Sequence, residues 1–267
     1  MTLDAQALDQ IFLKARTANG FTSEPVPDAL LQQVYDIARM GPTSMNTQPT
    51  RYVFLNSTEA RERLLPAMSP GNLDKTRSAP VTVIVCTDTR FYEFMPQVWH
   101  REGAKENFES NPALAEATAT RNSTLGGAYF IIAARALGLD CGPMSGVDLA
   151  KVNAEFFPDG RWRTNFLINL GHGDDSKLFD RNARLSFEQA CHRATTLQRE
   201  GAQGVPFFFL RIDKGGNVTK RFNATGFHLA EHGGACPRLD VHTSFRTPGR
   251  IVPQPLPASR IGRSSWL

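Results

Sequence analysis

No apolar run in the 267-residue chain approaches the roughly 20 residues that a bilayer-crossing helix needs. Asp4 and Asp9 also stand where a secretory leader would be apolar. These absences predict a soluble, cytoplasmic protein without membrane partners. Cysteine is scarce: Cys86, Cys141, Cys191 and Cys236 are far apart and form no C-x-x-C pair, so neither a zinc site nor a disulfide framework is expected. Among the six histidines only His228 and His232, in the tail, have H-x-x-x-H spacing; the others are scattered, and no metal is expected. The chain also lacks G-x-G-x-x-G after a strand, G-x-x-x-x-G-K-[ST] and G-x-S-x-G. It therefore carries none of the common fingerprints of a dinucleotide fold, a P-loop or a serine hydrolase.

Acidic charge is short at one end only. Residues 193–267 hold 11 Lys and Arg against 4 Asp and Glu, whereas residues 1–192 hold 19 against 22. The net charge of +4 thus belongs to the tail. The body has no basic stripe and no nucleic-acid reading module, so nucleic acid is not an expected partner.

What is present alternates between helix and strand. Residues 3–15 place Leu8, Ile11, Phe12 and Ala15 on one side of a first helix. Residues 28–40 do the same with Leu30, Leu31, Val34, Ile37 and Ala38. A third helix is expected over 58–67. The β-branched run 79–87 reads as a central strand, and 162–171 as a second. Residues 88–112 mix aromatics, charges and prolines and read as a helical excursion able to cover a pocket. Residues 113–137 form the long central helix, with Leu114, Ala117, Thr118, Arg121, Leu125, Ala128, Tyr129, Ile132 and Leu137 repeating near 3.6 and Gly138 as its cap. Residues 140–147 read as a loop of small residues, Asp148 as the cap of a helix ending at Phe156, and 186–191 as a short helical stretch. The alternation points to an α/β or α+β layered fold.

The organising stretch is Gly41-Pro-Thr-Ser-Met-Asn-Thr-Gln-Pro49. Gly41 and Pro42 end a helix, and Ser44, Asn46 and Gln48 follow as an irregular polar run on a rigid support, a form suited to a ring with several donors and acceptors. The plainer reading is an ordinary Asx- and Ser-rich turn. Arg16 lies within four residues of a hydroxyl and an amide, a grouping that can grip a phosphate, although an exposed Arg at a helix end is common.

Five blocks in order carry a resemblance: Arg16-Thr17-x-Asn19; Gly41-Pro-Thr-Ser-x-Asn-x-Gln-Pro49; Asn72-x-x-Lys75; Gly138-Leu-Asp-x-Gly-Pro-Met-Ser-Gly146; and Asn169-x-Gly-x-Gly173 leading to Arg184. Together they resemble the FMN-dependent nitroreductase family, and most closely its malonic semialdehyde (3-oxopropanoate) reductase subgroup of pyrimidine degradation. The resemblance implies an α+β nitroreductase-like fold with a central mixed sheet flanked by helices. It also implies FMN at a homodimer interface and hydride transfer from NADPH or NADH to a small aldehyde acid. It assigns Arg16, Lys75 and Arg184 to the FMN phosphate with Thr17 and Asn19. Ser44, Asn46 and Gln48 go to the ribityl chain and ring, the Ser145 N–H to the flavin N5, and Gly146 to close approach, with Asn72 a further cofactor-binding residue. Thr17, Asn19 and Asn182 replace residues that are commonly Ser or basic in the family, which implies less charge for the phosphate. Arg121 is a candidate carboxylate anchor, with an interface ion pair as its alternative role. Other readings are a broad nitro- or quinone reductase, a flavin reductase serving a partner, and a non-catalytic FMN-binding protein.

The resemblance covers residues 1–192 as one FMN-binding domain. Residues 193–267 lie outside it: a β-hairpin is expected over 205–222, and the remaining basic, proline-rich sequence is expected to be mostly irregular.

Overall fold

The computed structural model describes residues 2–193, 209–212 and 218–221. The chain divides into two units, residues 1–190 and 191–267. In the first, four strands form one sheet: β1 (Thr50–Leu55), β2 (Val81–Asp88), β3 (Asp140–Met144) and β4 (Trp162–Gly171), in the order β1-β2-β4-β3. The three ladders are antiparallel, and a parallel bridge from Thr17 to Cys141 on the free side of β3 adds the mixed component. Antiparallel pairing with helices on both faces makes the class α+β.

β2 is buried along its whole length because both faces of the sheet are covered. On one face, Val81, Val83, Val85, Ile168 and Leu170 pack against α2 (Asp28–Ala38) and α7 (Pro112–Ala136). On the other, Ile84, Cys86 and Leu167 pack against α3 (Thr58–Leu64) and α8 (Leu149–Phe156). Helix ends follow their sequence signals. Ser57 accepts from the Ala60 N–H at 3.1 Å, and Asp148 accepts from Ala150 and Lys151. Beyond α7, Gly138 at φ 82° closes a Schellman turn, with the Leu139 N–H donating to the Ala134 carbonyl. Residues 88–112 build the expected excursion from a 3₁₀ turn at Phe91–Phe94, α5 (Met95–Val98) and α6 (Ala104–Glu109), around a small core of Phe91, Met95 and Phe108.

Four expectations are corrected. Residues 140–147 are a strand up to Met144 rather than a loop; β3 lies at the sheet edge, where Pro143 is tolerated. The first helix is α1 (Ala5–Leu8) continued by a π-turn over Asp9–Leu13, and Leu8 and Phe12 are exposed in the protomer. Helix α2 ends at Ala38, before Gly41; a Cβ at Gly41 would meet the Tyr129 ring at 2.6 Å, so the glycine answers to packing rather than capping.

The fourth correction is the orientation of α7. Its buried face is mostly small (Ala115, Thr118, Ala119, Ser123, Gly127, Ala133 and Ala134) with Asn122 and one large residue, Phe130, while Leu114, Leu125 and Tyr129 face outward, the reverse of what their periodicity suggests. A Cβ on Gly127 would collide with the Phe166 ring, so only the small stripe lets the helix sit this close to the sheet.

In the second unit, β5 (Phe209–Ile212) pairs antiparallel with β6 (Val218–Arg221). The rest of the expected hairpin, and the expected irregular remainder, fall outside the described residues. Among the described residues no helix is long and apolar enough to cross a membrane.

Asn169, fully buried on β4, ties the layers together. Its Oδ1 accepts from Thr82 Oγ1 at 2.8 Å and its Nδ2 donates to Thr76 Oγ1 at 3.2 Å, on α4 (Leu73–Ser78). Asn169→Ala leaves two buried hydroxyls without this partner. We expect a loss of roughly 2–4 kcal/mol in urea unfolding, and a change under 0.5 kcal/mol would show that the amide is not structurally important.

Candidate functional site

The implied residues gather at two places. The first runs along edge strand β3. Residues 16–21 lie beside it, with the Ala18 N–H donating to the Cys141 carbonyl at 3.0 Å and the Phe21 N–H reaching Ser78 Oγ at the end of α4. Arg16, Thr17, Asn19 and Arg184 line a cavity of about 440 Å³ together with Arg135 and Arg181. Several of these side chains are held by backbone carbonyls: Arg16 by that of Phe179, Arg181 by that of Ala15 at 2.9 Å, and Arg135 by that of Ile11 at 3.3 Å. Four guanidinium groups face one lining acid, Asp180, so the cavity is strongly cationic. Arg135 and Arg181 add positive charge beside Thr17, Asn19 and Asn182. Neither was singled out in the sequence: Arg135 lies over 100 positions away on α7, and only the proximity of Arg181 to Arg184 hinted at its role.

Along the same edge, Asn72 meets the turn after β3. Its Nδ2 donates to the Gly146 carbonyl at 2.8 Å, and a Cβ on Gly146 would meet that amide at 2.5 Å, so only glycine fits. Ser145 beside it is exposed. The ammonium of Lys75, one turn along from Asn72, has no acid or hydrogen-bond partner among the described residues. Partial burial lowers its pKa, leaving a half-desolvated cation facing outward. It does not line the arginine cavity.

The second place precedes edge strand β1, at the far side of the sheet. Met45, Asn46 and Gln48 have φ of 51°, 53° and 42°. For non-glycine residues this costs about 1–3 kcal/mol each and persists only where neighbours impose it. The neighbours are identifiable. Buried Asn122 accepts from the Ser44 N–H at 2.8 Å, Thr43 Oγ1 accepts from the Gln48 N–H at 3.2 Å, and Asn46 Nδ2 donates to the Val98 carbonyl at 2.9 Å. Thr47 is 1% exposed, and its Oγ1 has no hydrogen-bond partner among the described residues. Ser44 and Asn46 are exposed and Gln48 partly so, presenting hydroxyl and amide groups outward.

Arg121 joins neither place. Successive residues on a helix diverge by about 100°; Asn122 and Ser123 turn into the protein, while Arg121 is exposed on the outer face of α7 with no partner among the described residues. The two thiols in the sheet are poor nucleophiles: burial raises the pKa of Cys86 and pushes that of Cys141 up to about 12.

The model of the nitroreductase family matches residues 13–172. A second model, described as short-chain fatty acyl coenzyme A regulator, C-terminal, matches residues 196–260. A Rhodopseudomonas palustris protein whose provisional name is NADH dehydrogenase/NAD(P)H nitroreductase is 52% identical over 190 residues, 71% of this chain and 97% of the relative. A Ralstonia nicotianae protein with the same kind of name is 53% identical over the same shares. The fold is similar to that of a Bacillus subtilis nitroreductase (TM-score 0.63, 19% identity, 71% of this chain and 100% of that one). It is equally similar to that of an Exiguobacterium sibiricum nitroreductase solved in complex with FMN (TM-score 0.63, 17% identity, 72% and 100%). With that length of match and that identity to its relatives, the chain belongs to the nitroreductase family.

Proposed function

We propose that the 1–192 body is an NAD(P)H-dependent FMN oxidoreductase of the nitro- or quinone-reductase kind, working as a homodimer. The observation that carries this is the division of polar groups between opposite edges of one sheet. A cationic cavity and the Asn72–Gly146 turn lie along β3, and the exposed Ser44, Asn46 and Gln48 lie before β1. A second copy, applied through the outward apolar residues of α7, would bring one edge against the other; Leu114, Leu125 and Tyr129 are otherwise a stripe without an inward role. The donor set fits FMN. Arg16, Arg135, Arg181 and Arg184, with Thr17 and Asn19, suit a phosphate, and Lys75 adds a cation along the same edge. Gly146 lets the Ser145 backbone come close to a flat ring. When bound, FMN accepts a hydride from NADPH or NADH and passes it to the acceptor, so no protein nucleophile is needed. The provisional names of the relatives support the same donor and acceptor class.

A second reading narrows the acceptor to 3-oxopropanoate, on the strength of Pro42-Thr-Ser-x-Asn46 and Gly142-Pro-Met-Ser-Gly146. In this reading Arg121, on the face a second copy would cover, pairs with the substrate carboxylate.

In anaerobic titration, NADPH is expected to bleach the visible absorbance of bound flavin, and Arg16→Ala or Arg184→Ala to raise the FMN Kd roughly 10–100-fold. Protein that takes up no flavin would sink the proposal.

An acceptor panel separates the two readings. Nitroaromatics and quinones are expected to turn over faster than 3-oxopropanoate. If 3-oxopropanoate leads, and Arg121→Ala lowers its kcat/KM but not that of a neutral aldehyde, the second reading replaces the first.

Every proposed contact precedes residue 193, so truncation after about residue 195 is expected to leave flavin content and NADPH oxidation intact. Loss of flavin or of the dimer on truncation would place the tail within the working enzyme.

A further inference from the structure

We infer that Arg51, seated on Asp88, is the positioning residue that holds the Ser44–Asn46 turn and Gln48 in their ligand-binding shape. This rests on the proposal that the turn contacts flavin. The positive-φ backbone of that turn needs an external hold, and its C-terminal end is gripped from one point. Arg51 Nη1 donates to the Gln48 carbonyl at 2.8 Å and to the Thr50 carbonyl at 2.9 Å. Its Nη2 lies 2.8 Å from Asp88 Oδ2, a close ion pair rather than an aligned hydrogen bond. Asp88 is fully buried, and its own N–H donates to the Pro49 carbonyl at 2.9 Å, so both partners of the pair hold the same few residues.

The seat is braced from the other side. Arg161 Nε is 3.4 Å from Asp88 Oδ1, and its Nη2 is 2.8 Å from Glu93 Oε2. Both guanidinium groups lie over the Phe94 ring, at 5.1 and 5.8 Å from its centroid. Glu93 and Phe94 belong to the excursion, and Asn46 donates to Val98 in that same excursion, so the turn and the excursion share one ionic hub. A planar guanidinium reaches two carbonyls and a carboxylate at once, which an ammonium cannot reproduce in fixed geometry. If the competent turn becomes a minority conformer, apparent affinity falls in proportion to its population.

The test compares Arg51→Lys, which keeps a cation opposite Asp88, with Arg163→Gln, which removes an exposed cation paired with Glu116, two strands across from Thr50. Two readouts are taken: amide hydrogen exchange of the flavin-free protein, and Kd for FMN and for riboflavin. For Arg51→Lys we expect faster exchange confined to residues 44–48, with β1 and β2 unchanged, and Kd raised about tenfold for both flavins in equal proportion, because the turn serves the ring end rather than the phosphate end. Arg163→Gln is expected to match wild type. Unchanged exchange at 44–48, or exchange raised equally across β1 and β2, would overturn the inference, as would unchanged Kd values in a wild type that binds flavin. If wild type binds neither flavin, the functional proposal fails, and exchange at 44–48 alone still decides the role of Arg51.

Discussion

The close seating of α7 on the sheet is the constraint on which the other features depend. A helix whose inner face is mostly Ala, Ser, Gly and Thr, beside Asn122 and Phe130, approaches the strands closely. Its side chains reach both the polar turn and the arginine cavity. Asn122 accepts from the start of the polar turn, Tyr129 lies against Gly41 behind it, and Arg135 extends from the last turn into the arginine cavity. Gln10 closes the arrangement by donating to the Arg135 and Ala136 carbonyls, holding the N-terminal segment over the helix end. One helix therefore spans the two polar regions.

Much of this was legible in the sequence. The strand at 79–87 was readable from its β-branched run, and that at 162–171 from the short apolar stretch Phe166-Leu-Ile-Asn-Leu170. The polar turn was marked by Gly41-Pro42 and Pro49, and the order of the five motifs carried the family. The failures have specific causes. Hydropathy gives weight to Leu and Tyr, so the periodic large residues of α7 looked like its inner face, although glycine and alanine decided the packing. β3 was hidden because Gly142 and Pro143 are poor strand formers, accepted only at an edge. The arginine cavity was half seen: Arg16 and Arg184 sit in motifs, but Arg135 arrives from a distant helix through tertiary structure. The positive φ at Met45 and Gln48 has no local signal, since neither residue favours that region.

Buried polarity in the body is concentrated where layers meet. Asn169 joins β2, β4 and α4, and Thr87 shares a 2.6 Å hydrogen bond with Ser123 between β2 and α7. Each bond fixes the register of a helix that carries candidate site residues: Asn72 and Lys75 are held through α4, and Asn122 through α7. Stability and site geometry therefore depend on the same few buried hydrogen bonds.

The placement of the polar turn and the arginine cavity at opposite sheet edges has a consequence for inheritance. In the proposed dimer each binding site takes one edge from each copy. Consider one chain damaged at the turn and another damaged at the cavity, paired in a mixed dimer. One of its two sites then contains both lesions, and the other contains neither. Two alleles that are each inactive alone can in this way restore one working site between them. The geometry of a single chain thus makes the gene a candidate for complementation between alleles.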